Sequence, residues 1–255
     1  MTPVWIALTI AILVLGAGLL GLVLQKLLPE PHTSERSRDM IGAIVGLFSL
    51  LLALVLGTLI GSAFGFYSTQ KSEIETFAAR VVHLDLELAE YGPETTPTRI
   101  KMRDTLQGIH DMFWSDRAGD VDPGALTVAA ALGPLRTLDE YVASLNPQTP
   151  AQRQFAATAS GDAGAIEQIR LLISLQLASP VSWPLLIVVV SWALVLFCGF
   201  GLLSRLNATT AVVLAFGAFA VATAIFLILE LSEPFTGLFR LPAASIEQML
   251  AVLAK

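Results

Sequence analysis

Charged side chains are absent from four long intervals of this 255-residue sequence. The charge-free intervals are residues 1–25, 40–70, 171–204 and 206–229. All 15 basic and 21 acidic residues therefore lie in the remaining segments, whose charge density is typical of a soluble protein surface. With a mean hydropathy of +0.71, this distribution excludes an ordinary soluble enzyme, a secreted disulfide scaffold and a disordered tail.

Residues that commonly carry chemistry are also scarce. The one cysteine, Cys198, cannot form an intramolecular disulfide, and it lies in an apolar interval. His83 and Glu87 would share a helix face, but no second cluster completes a set of metal ligands. The sequence has no Gly-rich phosphate loop, zinc-protease pair or nucleophile elbow. We therefore expect no metal, no cofactor and no enzymatic activity.

Each charge-free interval holds enough apolar sequence to cross a membrane. A bilayer core about 30 Å thick needs roughly 20 apolar helical residues. The predicted transmembrane spans are residues 4–24, 42–67, 183–203 and 210–229. A cleaved signal peptide is the alternative for the first span, but its first cation is Lys26 and it lacks a small-x-small cleavage pattern. No Asp, Glu, Lys, Arg or His lies inside the spans, which argues against a proton relay or a coupled transporter.

The distribution of cations predicts a membrane orientation. Four spans place both termini and the central segment on one side. The short-loop side carries four cations in a short stretch, namely Lys26, Arg36, Arg38 and Arg205. The other side carries Lys71, Arg80, Arg170 and Arg240 near the membrane, spread over more of the chain. The positive-inside rule therefore favours a cytoplasmic short-loop side and an extracytoplasmic central domain.

The predicted fold is all-α, since no alternation of period two indicates a strand. We predict an integral membrane protein with four transmembrane helices and a helical extramembrane domain inserted between the second and third. The predicted domains are a transmembrane hairpin over 1–70, the extramembrane domain over 71–170, a second hairpin over 171–229 and an interfacial C-terminal segment over 230–255. The central domain has 9 basic and 15 acidic residues. This acidic balance argues against a nucleic-acid partner.

The second span continues into the central domain as one predicted helix over residues 40–91, because no proline occurs between Pro31 and Pro93. Within the membrane it carries glycines at four-residue spacing, which let a neighbouring helix approach closely. The candidates for pore lining or helix packing are Phe48, Ser49, Gly57, Thr58, Gly61, Ser62 and Gly65. The alternative for the hydroxyls is a hydrogen bond to their own helix backbone.

Beyond the membrane the same helix carries an apolar seam at heptad spacing. We call this set the inner seam; it consists of Ile74, Phe77, Val81, Leu84, Leu88 and Tyr91. Steps of three and four residues along one narrow edge are typical of a helix with a partner helix. Two alternatives are open: the partner is a helix of the same domain, or it is the same helix of another subunit.

Three segments resemble a bacterial membrane-protein family of unknown function that is described as bestrophin-like. They are residues 54–63, 84–94 and 226–238. Their motif positions include Gly92, Pro93, Glu94, Glu230, Pro234, Phe235 and Gly237. The resemblance implies a subunit like those of the bestrophins, which are pentameric anion channels with four spans per subunit and a long second helix that leaves the membrane. It also implies a cytosolic soluble region, opposite to the orientation that the cations favour.

These observations predict a homo-oligomeric ion channel, selective for anions if it follows the bestrophins, in which the second span lines or packs the pore. Its expected partners are the lipid bilayer, further copies of the chain in a ring, and inorganic ions. The alternative is a non-conducting membrane sensor or scaffold whose acidic helical domain binds a protein partner. Because the spans contain no charge, any ion path has to be shaped by hydroxyls, backbone or apolar rings.

Overall fold

A computed structural model of the chain describes residues 3–27, 35–114, 133–177, 183–235 and 238–254. The described residues fold into helices and contain no strand, which confirms the all-α prediction. In chain order the helices are α1 (Pro3–Leu27), α2 (Glu35–Tyr91), α3 (Thr96–Trp114), α4 (Thr137–Ala143), α5 (Pro150–Leu177), α6 (Trp183–Leu203), α7 (Ala208–Leu231) and α8 (Ala244–Leu253). Short 3-10 turns at Pro93–Thr95 and Gly133–Arg136 precede α3 and α4.

Four of these helices are long and apolar enough to cross a membrane. They are Pro3–Leu27, Arg38–Tyr91, Trp183–Leu203 and Ala208–Leu231. Each predicted span falls within one of them, and α6 has the predicted bounds. The prediction of four long apolar helices is therefore confirmed.

The chain divides into two compact units, and α2 contributes residues to both. The first unit comprises Met1–Phe66 and Val181–Glu233, and the second comprises Tyr67–Pro180 and Pro234–Lys255. In the first unit, α1 packs against α6 and α7. Residues of α2 complete its apolar core, where Val45 and Leu52 are buried.

Helices α1 and α6 of the first unit cross with their backbones in contact. A Cβ atom built on Gly201 would lie 2.1 Å from the Gly18 carbonyl oxygen, and one on Gly21 would lie 2.1 Å from the Cys198 carbonyl oxygen. Only glycine leaves room for this approach, which is the way small residues pack helices in lipid. Gly18, Gly21 and Gly201 do not have the four-residue spacing of the glycines in the second span.

The core of the second unit is built from α2, α3, α4, α5 and α8. Helix α3 contributes Met102, Leu106 and Phe113, as its apolar spacing predicts. Helix α8 contributes Ile246, Met249 and Leu253. The sequence placed residues 230–255 in a separate segment at the membrane interface, but from Pro234 onward this segment belongs to the second unit.

Two contacts explain why the C-terminal segment joins this core. The Trp114 indole Nε1 donates a hydrogen bond to the Leu241 carbonyl oxygen at 2.8 Å. The Phe113 and Phe235 rings lie 5.7 Å apart. Both partners on α3 are about 120 residues from the segment in sequence, so the periodicity of the segment itself could not indicate the contact.

We predict that Gly201→Leu destabilises the first unit, because the Gly18 backbone cannot move aside as a flexible side chain would. The expected loss is about 3 kcal/mol, at the upper end of typical overpacking costs. Thermal unfolding of the purified protein in detergent measures it. Gly16→Leu is the matched control, since a Cβ atom there meets nothing within 4 Å. Equal melting temperatures for the two variants would contradict the close crossing.

Candidate functional site

The inner seam lies inside the second unit. Its exposed fractions run from 0% at Val81, Leu84 and Leu88 to 9% at Ile74. Five of its six residues, all except Tyr91, belong to one apolar cluster with residues of α3, α4, α5 and α8. Packing within the domain, the first of the two alternatives, therefore accounts for this seam, and its side chains have no surface left for a second subunit.

A different face of α2 is exposed, and it also has heptad spacing. In the first unit one row of exposed positions follows steps of four and three residues, and neighbouring positions such as Leu50, Ala53 and Gly57 are exposed as well. The row consists of Met40, Ile44, Leu47, Leu51, Leu54, Thr58, Gly61 and Gly65. In the second unit the same spacing continues through Ser68, Ser72, Glu75 and Ala79, which are exposed as well. We call the whole row from Met40 to Ala79 the outer seam.

The outer seam has the composition of a helix–helix contact in lipid. Leucines lie toward its N-terminal end and small residues follow. A Cβ atom on Gly61 or Gly65 of the seam, or on Gly57 beside it, would meet nothing within 4 Å, so no part of the described chain uses the space that these glycines leave. In the most apolar 18-residue window of α2, 11% of the window is buried, against 28–33% in the corresponding windows of the other three long apolar helices. The chain itself thus leaves this helix the least covered of the four.

Two of the candidate hydroxyls form hydrogen bonds with their own helix. Ser49 Oγ donates to the Val45 carbonyl oxygen at 2.8 Å, and Thr58 Oγ1 donates to the Val55 carbonyl oxygen at 2.8 Å. This is the alternative that the sequence left open for them. Ser62 is exposed on the surface of the first unit.

Phe48, the remaining candidate of the second span, packs inside the first unit. Its ring meets the Trp192 ring of α6 edge-to-face, with the centroids 6.0 Å apart. This is a contact between two helices of the same unit.

The motif Gly92-Pro93-Glu94 forms the turn that ends α2. Gly92 has φ +147°, a backbone conformation that residues other than glycine rarely adopt. A Cβ atom at this position would also lie 2.5 Å from a Glu94 carboxylate oxygen. Gln152 of α5 donates through Nε2 to the Tyr91 carbonyl oxygen at 3.1 Å and to Glu94 Oε1 at 3.3 Å. These contacts assign the motif to the joint between α2, α3 and α5.

The second set of motif residues is divided between the two units. Glu230 lies near the end of α7 in the first unit and is 2% exposed. In the second unit the Pro234 carbonyl oxygen accepts a hydrogen bond from the Leu241 N–H at 2.9 Å, and Phe235 belongs to the apolar core. Gly237 lies outside the described residues.

A buried carboxylate in the second unit gathers two basic side chains that the sequence did not connect. Asp162 of α5 is 2% exposed. Its Oδ1 accepts a hydrogen bond from Arg80 Nη1 at 2.8 Å, and its Oδ2 is hydrogen-bonded to His83 Nδ1. On its other side, His83 Nε2 lies 3.7 Å from Glu87 Oε1. Asp162 is the partner that His83 lacked in the sequence, and only the fold brings it near.

The charges around His83 raise the pKa of its imidazole above the ordinary 6.5. The hydrogen bond to Asp162 is the largest cause, followed by the negative charge of Asp162; Glu87 adds to the effect, while burial and Arg80 oppose it. Within the described ranges no group of three or more His, Cys, Asp or Glu side chains is placed to hold a metal ion.

We predict that the second unit loses stability as the pH rises through the folded-state pKa of His83. A pKa raised by folding stabilises the folded state when the histidine is protonated, and this contribution disappears on deprotonation. The effect is small, because His83 is half-exposed and solvent screens the pair. Melting temperatures from about pH 6 to about pH 8.5 measure it. His83→Gln and Asp162→Asn should each flatten the profile, and a wild-type slope in both variants would contradict the pairing.

The comparisons with known proteins agree with the resemblance seen in the sequence. The Bestrophin-like domain matches residues 11–246, from the first apolar helix to the C-terminal helix. No curated protein matches the chain, and no solved structure matches it. Because the domain match covers both units and all four long apolar helices, the chain belongs to the bestrophin-like family.

Proposed function

We propose that the protein is a homo-oligomeric membrane ion channel whose copies meet along the outer seam of α2. Family membership and the four apolar helices support a membrane protein of the bestrophin type. The observation that carries the oligomer is the outer seam itself, since a heptad pattern on an exposed face calls for a helix outside the chain.

The small residues of the outer seam support a contact within lipid. Lipid tails are as apolar as leucine, so apolar surface alone does not drive helices together there; close backbone approach does. Gly61 and Gly65 of the seam, together with Gly57 on the adjacent row, offer that approach over more than two helical turns. A ring of copies related by rotation would bring this face toward its axis, pentameric if the bestrophins are a guide.

Charge along the seam is compatible with such a ring. Glu75 is the charged member of the seam, so copies in a ring would bring like charges together. Lys71 Nζ lies 3.9 Å from Glu75 Oε1, and both side chains are about half-exposed. An adjacent cation reduces the repulsion between carboxylates of neighbouring copies.

Anions are the proposed substrate, and the bestrophin resemblance supports this choice. The path would be uncharged within the membrane, because residues 40–70 contain no Asp, Glu, Lys or Arg. Conduction through such a path depends on pore diameter, hydroxyl groups and apolar constrictions rather than on rings of charge.

We predict that Gly61→Leu weakens assembly and chloride flux together. A leucine at the centre of the seam separates the two backbones, and overpacking of about 1–3 kcal/mol corresponds to roughly 5- to 150-fold weaker association per contact. Light scattering of the protein in nanodiscs gives the oligomer size, and chloride efflux from liposomes gives the flux. Gly16→Leu is the matched control on α1, where a side chain has equally open surroundings.

Two results would contradict this proposal. One is a wild-type protein that is monomeric and carries no current in a planar bilayer. The other is a Gly61→Leu variant that is monomeric yet conducts as the wild type does, which would remove the seam from the ion path.

A non-conducting scaffold is the second candidate, and one observation favours it. An open groove of about 600 Å³ lies between α2 and α8 in the second unit, with Leu86, Met249 and Val252 among its lining residues. Such a groove suits the apolar face of a partner's helix. Stable oligomers without chloride flux, together with a protein bound in this groove, would favour the scaffold over the channel.

A further inference from the structure

A cavity in the first unit has an apolar floor. It has a volume of about 370 Å³ and lies between α6 and α7, beside the turn that joins them. Phe197 and Leu214 form a buried part of the floor, at 5% exposure each, whereas Phe200 and Val213 are 37% and 64% exposed. The cavity is thus open to the surroundings of the helices, and in a membrane those surroundings are acyl chains.

One glycine sets the depth of the floor. A Cβ atom on Gly217 of α7 would lie 3.0 Å from Phe197 Cζ, so the ring occupies the place of a side chain. The Phe197 ring in turn meets Phe200 edge-to-face, with the centroids 5.9 Å apart. The floor is therefore a packed aromatic surface. A larger side chain at position 217 would fill the space beside it.

The mouth of the cavity is polar. Its lining residues at the turn are Ser204, Asn207, Thr209 and Thr210. The Asn207 side chain accepts a hydrogen bond from the Thr210 N–H at 2.7 Å and so caps α7. The three hydroxyls are groups that can donate hydrogen bonds to an acceptor such as phosphate oxygen.

Two cations stand at the same turn. Arg205 is exposed, and in the sequence it lies between Ser204 and Asn207, which both line the cavity. Arg38 of α2 donates through Nη2 to the Leu203 carbonyl oxygen at 2.9 Å, which holds a second guanidinium there. Guanidinium groups bind phosphate through paired, charge-assisted hydrogen bonds. The mouth is therefore complementary to an anionic phosphate and the floor to a hydrocarbon chain.

We propose that this cavity binds a membrane phospholipid with an anionic headgroup. One acyl chain lies against Phe197 and Phe200, and the phosphate lies at the mouth beside Arg205. Because α6 and α7 are each long enough to cross the bilayer, the turn between them lies at a membrane surface, the depth of the headgroups. Lipid binding in this cavity does not depend on ion conduction. A protein that carries no current is therefore still expected to bind the lipid here.

The test uses the purified full-length protein, stripped of lipid in detergent and titrated with dioleoylphosphatidylglycerol or dioleoylphosphatidylcholine. Native mass spectrometry counts the lipids bound per chain. We expect the wild type to prefer phosphatidylglycerol. Arg205→Gln should weaken phosphatidylglycerol binding about tenfold, as the loss of one charged hydrogen bond does, and should weaken phosphatidylcholine binding less, because the choline cation already offsets the charge of its phosphate. Gly217→Leu should weaken the binding of both lipids by filling the floor.

Matched controls separate these effects from general ones. Gly16→Leu adds a leucine on α1, and Arg103→Gln removes an exposed cation of α3 in the second unit. Both variants should bind lipid as the wild type does. Because Arg205 is exposed, its replacement leaves folding intact, so the proposal can be judged even if Gly217→Leu does not fold.

Three results would overturn the proposal. The first is equal phosphatidylglycerol affinity in the wild type and Arg205→Gln. The second is displacement of the bound lipid by inorganic phosphate alone, which would identify a small-anion site. The third is a change in oligomer size with Gly217→Leu at unchanged lipid binding, which would make the cavity a contact between copies.

Discussion

The hydrocarbon core of a membrane stabilises neither a charge nor an unpaired backbone polar group, and the organisation of this chain follows from that constraint. Helices satisfy the backbone, and in the first unit the described charges lie at or near helix ends and in the turn after α6. Helices that cannot attract each other through charge or through the hydrophobic effect have to pack by close approach. The contact of Gly18 and Gly21 with Gly201 and Cys198 across α1 and α6 is this solution inside the chain.

Helix α2 shows how one regular sequence serves two kinds of contact. Its inner seam packs in a cluster with residues of α3, α4, α5 and α8, whereas the large apolar side chains of its outer seam are 38–66% exposed. Both have steps of three and four residues, so spacing alone cannot tell them apart. Composition can: the inner seam is large and apolar, as in a water-soluble core, and the outer seam becomes small where a second backbone would approach.

Much of the fold could be predicted, because it depends on composition within single segments. The four apolar helices follow from where charge is missing, and the α2–α3 joint follows from Gly92 and Pro93. The remainder depends on partners distant in sequence. His83 and Asp162 are 79 residues apart, and Trp114 and Leu241 are 127 apart. The Gly18–Gly201 crossing had a local signal in the closely spaced glycines of α1, but no local pattern identifies the partner helix.

The uncharged spans also constrain how an anion could pass. In α2 the Thr58 hydroxyl donates its proton to the Val55 carbonyl oxygen and so turns its lone pairs outward. An anion requires donors, and a hydroxyl that turns to meet it gives up a backbone bond worth about 1 kcal/mol net. Bare glycine surface at Gly57 and Gly61 exposes backbone but has no side-chain donor. A pore along this face would therefore conduct anions most readily if they keep much of their water, which requires the copies of α2 to stand far enough apart for a hydrated ion. Close glycine packing and a hydrated pore cannot occupy the same stretch of the seam, so assembly and permeation would have to divide the length of α2 between them.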